Sequence, residues 1–119
     1  MRTLRTEASQ QRYDAAMAMR PEGSPCPLCV AEPLREFEHW KIIPNDYPYD
    51  RVADVHHMLV SLRHVPEGEL SAEEMRELRE IKLEAHLSDD YDCIIEAAEG
   101  RQSIPAHFHL HLVKITDAQ

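Results

Sequence analysis

Apolar positions along this chain fall at two spacings, three-to-four and two, and the switches between them mark the elements. Residues 7–19, preceded by Leu4, carry Tyr13, Ala16 and Met17 on one face and read as a helix. Arg20-Pro21-Glu22-Gly23 ends it, because a proline disfavours helical geometry in the residue before it. Residues 21–33 hold four prolines and read as a rigid loop. Glu38 to Ile43 reads as a first strand, Pro44 to Pro48 as a turn, and His56 to Leu62 as a second strand. Ser71 then caps a helix: Glu74 completes a capping box, and Leu70 with Met75 forms a hydrophobic staple. Met75, Leu78, Ile81 and Ala85 give this helix one apolar face through about residue 87, with the Glu and Arg residues between them on a solvated face. Tyr91 to Ala98 and Ala106 to Ile115 read as two further strands around a turn at Gly100. The order predicts an α+β domain with a mainly antiparallel sheet, one long helix packed across it, and an N-terminal helix. It divides the chain into an extension, residues 1–20, and a domain, residues 21–119.

The last strand carries the chemistry. His107, His109 and His111 alternate with Phe108, Leu110 and Leu112, so an extended chain places three imidazoles on one face and an apolar stripe on the other. Random placement of the chain's histidines would give such a triplet only about 0.035 times. Histidine is also the side chain that titrates near neutrality and binds metals.

Composition narrows the partners. The formal net charge is −9, which disfavours extended nucleic acid, because a polyphosphate backbone gains affinity from basic surface. A small phosphate-bearing ligand stays compatible, since a local pocket can oppose the global charge. No apolar run reaches membrane-spanning length and the first residues carry no hydrophobic signal segment, so a cytoplasmic protein is expected. Three cysteines, Cys26, Cys29 and Cys93, suit a reducing compartment better than a disulfide framework.

Cys26 and Cys29 have the spacing of zinc ligands, which lets two thiolates meet one ion from a tight turn. A redox pair and two ordinary thiols remain alternatives at this point. His64 ends the second expected strand and His107 begins the last one, and both reach the cysteine loop if those strands are neighbours, completing a Cys₂His₂ set. His39, before a strand, and His86, late in the helix, read as surface residues.

A neutral imidazole is a competent nucleophile toward phosphorus, provided its other nitrogen meets a partner that fixes the tautomer. His-Phe-His-Leu-His-Leu-Val, residues 107–113, resembles the His-φ-His-φ-His-φ-φ motif of the histidine-triad family. Gln102-Ser103 resembles the Gln-Ser/Thr that precedes the motif, and Val55 to His64 resembles the family strand that begins and ends in histidine. The Cys-x-x-Cys loop is similar to that of zinc-containing members. The resemblance implies a histidine-triad-like fold and a nucleotide hydrolase or nucleotidyltransferase acting at the α-phosphate of a nucleoside phosphate ester, anhydride or phosphoramidate. It implies His109 as the nucleophile that forms a nucleotidyl-histidine intermediate, and His111 as a phosphate-positioning partner. His56, Asn45, Gln102 and Ser103 would then contact the nucleotide, with Ile43 and Leu59 beside the base. Structural zinc would sit on Cys26, Cys29, His64 and His107, and a homodimer through the helix and sheet edge is an arrangement found in the family. Two alternatives stand beside the enzyme: a zinc-stabilised module that binds nucleotide without turnover, and a metal-handling protein.

Overall fold

The period-two segments pair into one antiparallel sheet in the computed structural model, which describes residues 3–98 and 100–117. The outer ends of the two expected segments, residues 1 and 119, lie outside that range. Five strands are present: β1 (Arg35–Glu36), β2 (Trp40–Pro44), β3 (Ala53–Ser61), β4 (Cys93–Ile95) and β5 (His109–Ile115). Their spatial order is β1-β2-β3-β5-β4. Three α-helices complete the α+β fold: α1 (Glu7–Ala18), α2 (Pro27–Val30) and α3 (Ala72–Glu84). Helix α3 has 13 residues and α1 has 12, so neither dominates in length.

Register decides which side chains share a face. Met58 pairs with His111 and Val60 with His109, while Leu59 pairs with Leu110. Even-numbered residues of β5 therefore turn toward α3. There Leu110, Leu112 and Phe108 join Trp40, Ile42, Leu59, Leu78, Ile81 and Leu87 in the main core. Trp40 stands edge-on to Phe108 at 6.0 Å and donates its indole N–H to the Glu74 carbonyl at 2.9 Å, which locks α3 to β2. The opposite face, which carries the histidines, is covered by α2 through a smaller core of Leu28, Ile43 and Val60. Both faces of β5 are therefore buried, and the imidazoles are not solvated.

Several boundaries differ from expectation for local reasons. The rigid loop contains a helical turn, because Pro27 takes the first helical position, where its missing N–H costs nothing. The capping box at Ser71 and Glu74 forms, but Met75 is exposed and only Leu70 of the expected staple packs on the core. The polar face of α3 is not simply solvated. Glu74 is buried and paired with the Arg63 guanidinium at 2.5 Å, and Glu77 accepts from the backbone N–H groups of Glu38 and His39. The helix ends at Glu84 with Ala85 as its C-cap, before His86, whose φ of 55° places it in the left-handed region and outside the helix. The expected strands 91–98 and 106–115 shorten to Cys93–Ile95 and His109–Ile115, which leaves His107 in the turn ahead of β5.

Two histidine clusters on one face of the sheet

The first cluster forms where α2 meets the start of β5. Cys26 caps α2 and Cys29 lies one turn on, so both sulfurs face the same way. His64 follows the end of β3, and His107 precedes β5, the neighbouring strand. The ligand atoms of these four residues all lie within 4.8 Å of one another, a set able to hold a metal ion. His107 Nδ1 is 3.6 Å from Cys26 Sγ and 3.4 Å from Cys29 Sγ, and His64 Nδ1 is 3.3 Å from Cys29 Sγ. A tetrahedron with metal–sulfur bonds of about 2.3 Å and metal–nitrogen bonds of about 2.0 Å has sulfur–nitrogen edges of about 3.5 Å, so the spacing fits such an ion. The outer bond is also in place: His107 Nε2 lies 2.7 Å from the Ser61 carbonyl, which fixes the proton there and leaves the Nδ1 lone pair toward the sulfurs. Burial pushes the Cys29 thiol up, and the Lys41 ammonium opposes that. Lys41 itself is buried and donates to the carbonyls of Cys29 and Ala31 at 3.2 and 3.0 Å, which ties the loop to β2.

The second cluster, His56, His109, His111 and Tyr49, is ordered by tautomers that the backbone dictates. The Tyr49 backbone N–H donates to His56 Nδ1 at 2.9 Å, so the His56 proton sits on Nε2. That Nε2–H meets His111 Nδ1 at 2.8 Å, which puts the His111 proton on its own Nε2. His111 thus offers a donor, currently 3.3 Å from the Tyr49 hydroxyl. His109 is the reverse case. Its Nδ1 donates to the His107 carbonyl at 2.9 Å, and its Nε2 has no partner among the described residues. Because no fully buried side-chain nitrogen or oxygen among the described residues is left unpaired, that Nε2 reaches open space. Burial lowers all three pKa values. His56 goes to about 4, helped by Arg5 and by the neighbouring histidines, and His111 goes to about 3, helped by His109, His56 and Arg5. His109 is also lowered by burial, against the pull of the His107 carbonyl.

His109 and His111 open onto a cavity of about 100 Å³ whose walls include Ile43, Asn45, Met58, Ser103, Ile104, Tyr47 and, from the N-terminal segment, Arg5, Tyr13 and Met17. That volume holds a phosphate-sized group, well short of the roughly 300–1,000 Å³ of sites that enclose a whole small ligand. Of the residues expected at the nucleotide, Asn45 and Ser103 stand on this wall. Asn45 accepts from the Tyr47 N–H at 2.8 Å, and its Nδ2 stands 3.4 Å from His56 Nε2; both are donors in the tautomer above, so this is a contact and not a hydrogen bond. His56 stands behind His111 and not on the wall, Leu59 belongs to the α3-side core, and Gln102 lines a different cleft beside Pro66, Glu67 and Glu96. A larger cleft of about 430 Å³, lined by His57, Tyr91, Arg35 and Lys114 among others, contains none of the triad.

Sequence reasoning missed Arg5, Tyr13, Tyr47 and Tyr49. Nothing in the weak apolar pattern of α1 signals its partner. The signal lies in Asp50, whose carboxylate receives the Thr6 N–H, the Thr6 hydroxyl and the Ser9 hydroxyl and so clasps the N-terminal segment to the loop before β3. No family model matches the chain, and no curated protein matches it. No helix among the described residues is long and apolar enough to cross a membrane.

Proposed function

We propose that the protein is a nucleotide hydrolase or nucleotidyltransferase of the histidine-triad type, acting at the α-phosphate of a nucleoside phosphate ester, anhydride or phosphoramidate. The observation that carries this reading is the opposed pair of tautomers: His109 turns a bare Nε2 to the cavity while His111 turns an N–H to it. His109 Nε2 attacks the phosphorus and expels the leaving group, forming a phosphorus–nitrogen bond. Water then displaces the nucleotide from that nitrogen. The His111 N–H donates to a non-bridging phosphate oxygen, giving up its long bond to Tyr49. Phosphoryl chemistry demands this positioning of a nucleophile and donors above all. The phosphate end of the ligand lies against His109 and His111, and the nucleoside lies along the wall that carries Ile43 and Asn45.

In the same reading the four-residue cluster holds zinc as a structural ion with all four positions filled by protein, which leaves it no open site for substrate. The protein acts in the cytoplasm as a small-nucleotide enzyme, and a homodimer is compatible with it.

The test is incubation with adenosine phosphoramidate or a dinucleoside polyphosphate. Wild type is expected to release mononucleotide and His109→Ala to release none. If both are inert while nucleotide still binds, the protein is a binding module and the enzymatic reading fails.

A further inference from the structure

The N-terminal segment delivers a cation to the cavity that the triad chemistry does not use. Arg5 is only 8% exposed, yet it makes no ion pair among the described residues. A buried charge without a counter-charge is costly. Its guanidinium lies 4.2 Å from the centre of the Tyr13 ring and 5.0 Å from that of Tyr49, which gives two cation–π contacts but no neutralisation. Nε donates to the Tyr47 carbonyl at 2.7 Å and Nη1 reaches Gln10 at 3.4 Å. Nη2 has no partner among the described residues, and it is not sealed away, because every fully buried side-chain nitrogen among them is satisfied. Arg5 lines the same cavity as His109 and His111, with Tyr49 between it and His111: the Tyr49 ring is 4.9 Å from the His111 ring.

We infer that Arg5 is the anchor for a second anionic group, so that the cavity prefers a nucleoside diphosphate or longer polyphosphate over a ligand with one phosphate. The inference rests on the nucleotide reading above and adds the substrate class. One phosphate sits at His109 and His111, and the next one reaches the Arg5 guanidinium, which grips phosphate oxygens through its planar fork of N–H groups.

Calorimetric titration of the His109→Ala protein with AMP and with ADP tests it without turnover. ADP is expected to bind at least about tenfold more tightly than AMP, by an increment that shrinks as salt is raised. Adding Arg5→Met, which keeps the packing stem, should remove that increment and change AMP affinity less than about threefold, while Arg5→Lys should keep part of it. Equal affinity for the two nucleotides, or an equal loss of both in Arg5→Met, overturns the inference and leaves the nucleotide reading standing. Failure of both nucleotides to bind removes the nucleotide reading and the inference together. If near-UV circular dichroism shows Arg5→Met misfolded, the Arg5 Nε–H resonance of the wild-type protein decides: it should move on adding inorganic pyrophosphate and not on adding adenosine. An unmoved resonance overturns the inference.

Discussion

His107 and His109 are two residues apart, both are buried, and burial lowers the pKa of both, yet their rings are turned to opposite uses. His107 gives Nε2 to a carbonyl and turns Nδ1 to two sulfurs, whereas His109 gives Nδ1 to a carbonyl and turns Nε2 to a cavity. In each ring a backbone oxygen accepts from the ring N–H and so fixes the proton on that nitrogen, and the remaining lone pair faces whatever the fold has placed opposite. Opposite His107 stand thiols supplied by the turn of α2; opposite His109 stands the cavity bordered by Arg5 and Tyr47. The identity of the side chain settles very little here. The carbonyl behind it and the surface in front of it settle the rest.

The comparison breaks most visibly if the clusters do not separate on mutation. His109→Ala should lower the rate of mononucleotide release by about a thousandfold or more and leave metal content unchanged by atomic spectroscopy. A variant that loses metal along with activity would show the two clusters to be one site. Cys29→Ser should lose most bound zinc and lower Tm by roughly 10 °C, since ligand loss removes folding free energy; zinc retained at the wild-type level would remove Cys29 from the ligand set.

Acid sharpens the contrast from the cavity side. His56 and His111 have folded pKa values of about 4 and about 3, below the ordinary 6.5. As pH falls below about 6.5, the unfolded chain binds protons that the folded chain refuses, so the stability these rings contribute is full above that pH and is lost progressively toward pH 3. Tm should fall steadily from pH 7 to pH 4, and His56→Gln should make that fall shallower. A Tm that stays flat across this window would contradict the buried, neutral pair. The smallest effect is expected at the N-terminal clasp, where the hydroxyls of Ser9 and Thr6 and the Thr6 N–H hold Asp50 down to about 2. Asp50→Asn should raise KM about fivefold, the equivalent of one weakened hydrogen bond, with metal content unchanged.

Much of this was legible in the pattern of residues. The capping box at Ser71, the alternation of β5 and the convergence of Cys26, Cys29, His64 and His107 all follow from local spacing together with antiparallel neighbours. What escaped depends on contacts distant in sequence. Glu74 looks like one more surface carboxylate of α3 until Arg63 folds back on it from 11 residues away. Gln102 and Ser103 are adjacent, yet they line different clefts, because the turn before His107 sends them apart. Arg5 lies in a stretch with no evident periodicity, and its place at the cavity follows from Asp50, more than forty residues on.

The carbonyl that orients the His109 ring belongs to His107, itself one corner of the thiol–imidazole cluster. Position 107 therefore works as a bearing with two loads: its ring faces the thiols of the first cluster and its main chain orients the His109 ring, the nucleophile of the proposed reaction. If the cluster holds zinc as proposed, stripping the ion would release the bearing, and the first property to suffer would be the aim of His109 Nε2, ahead of any melting of the sheet.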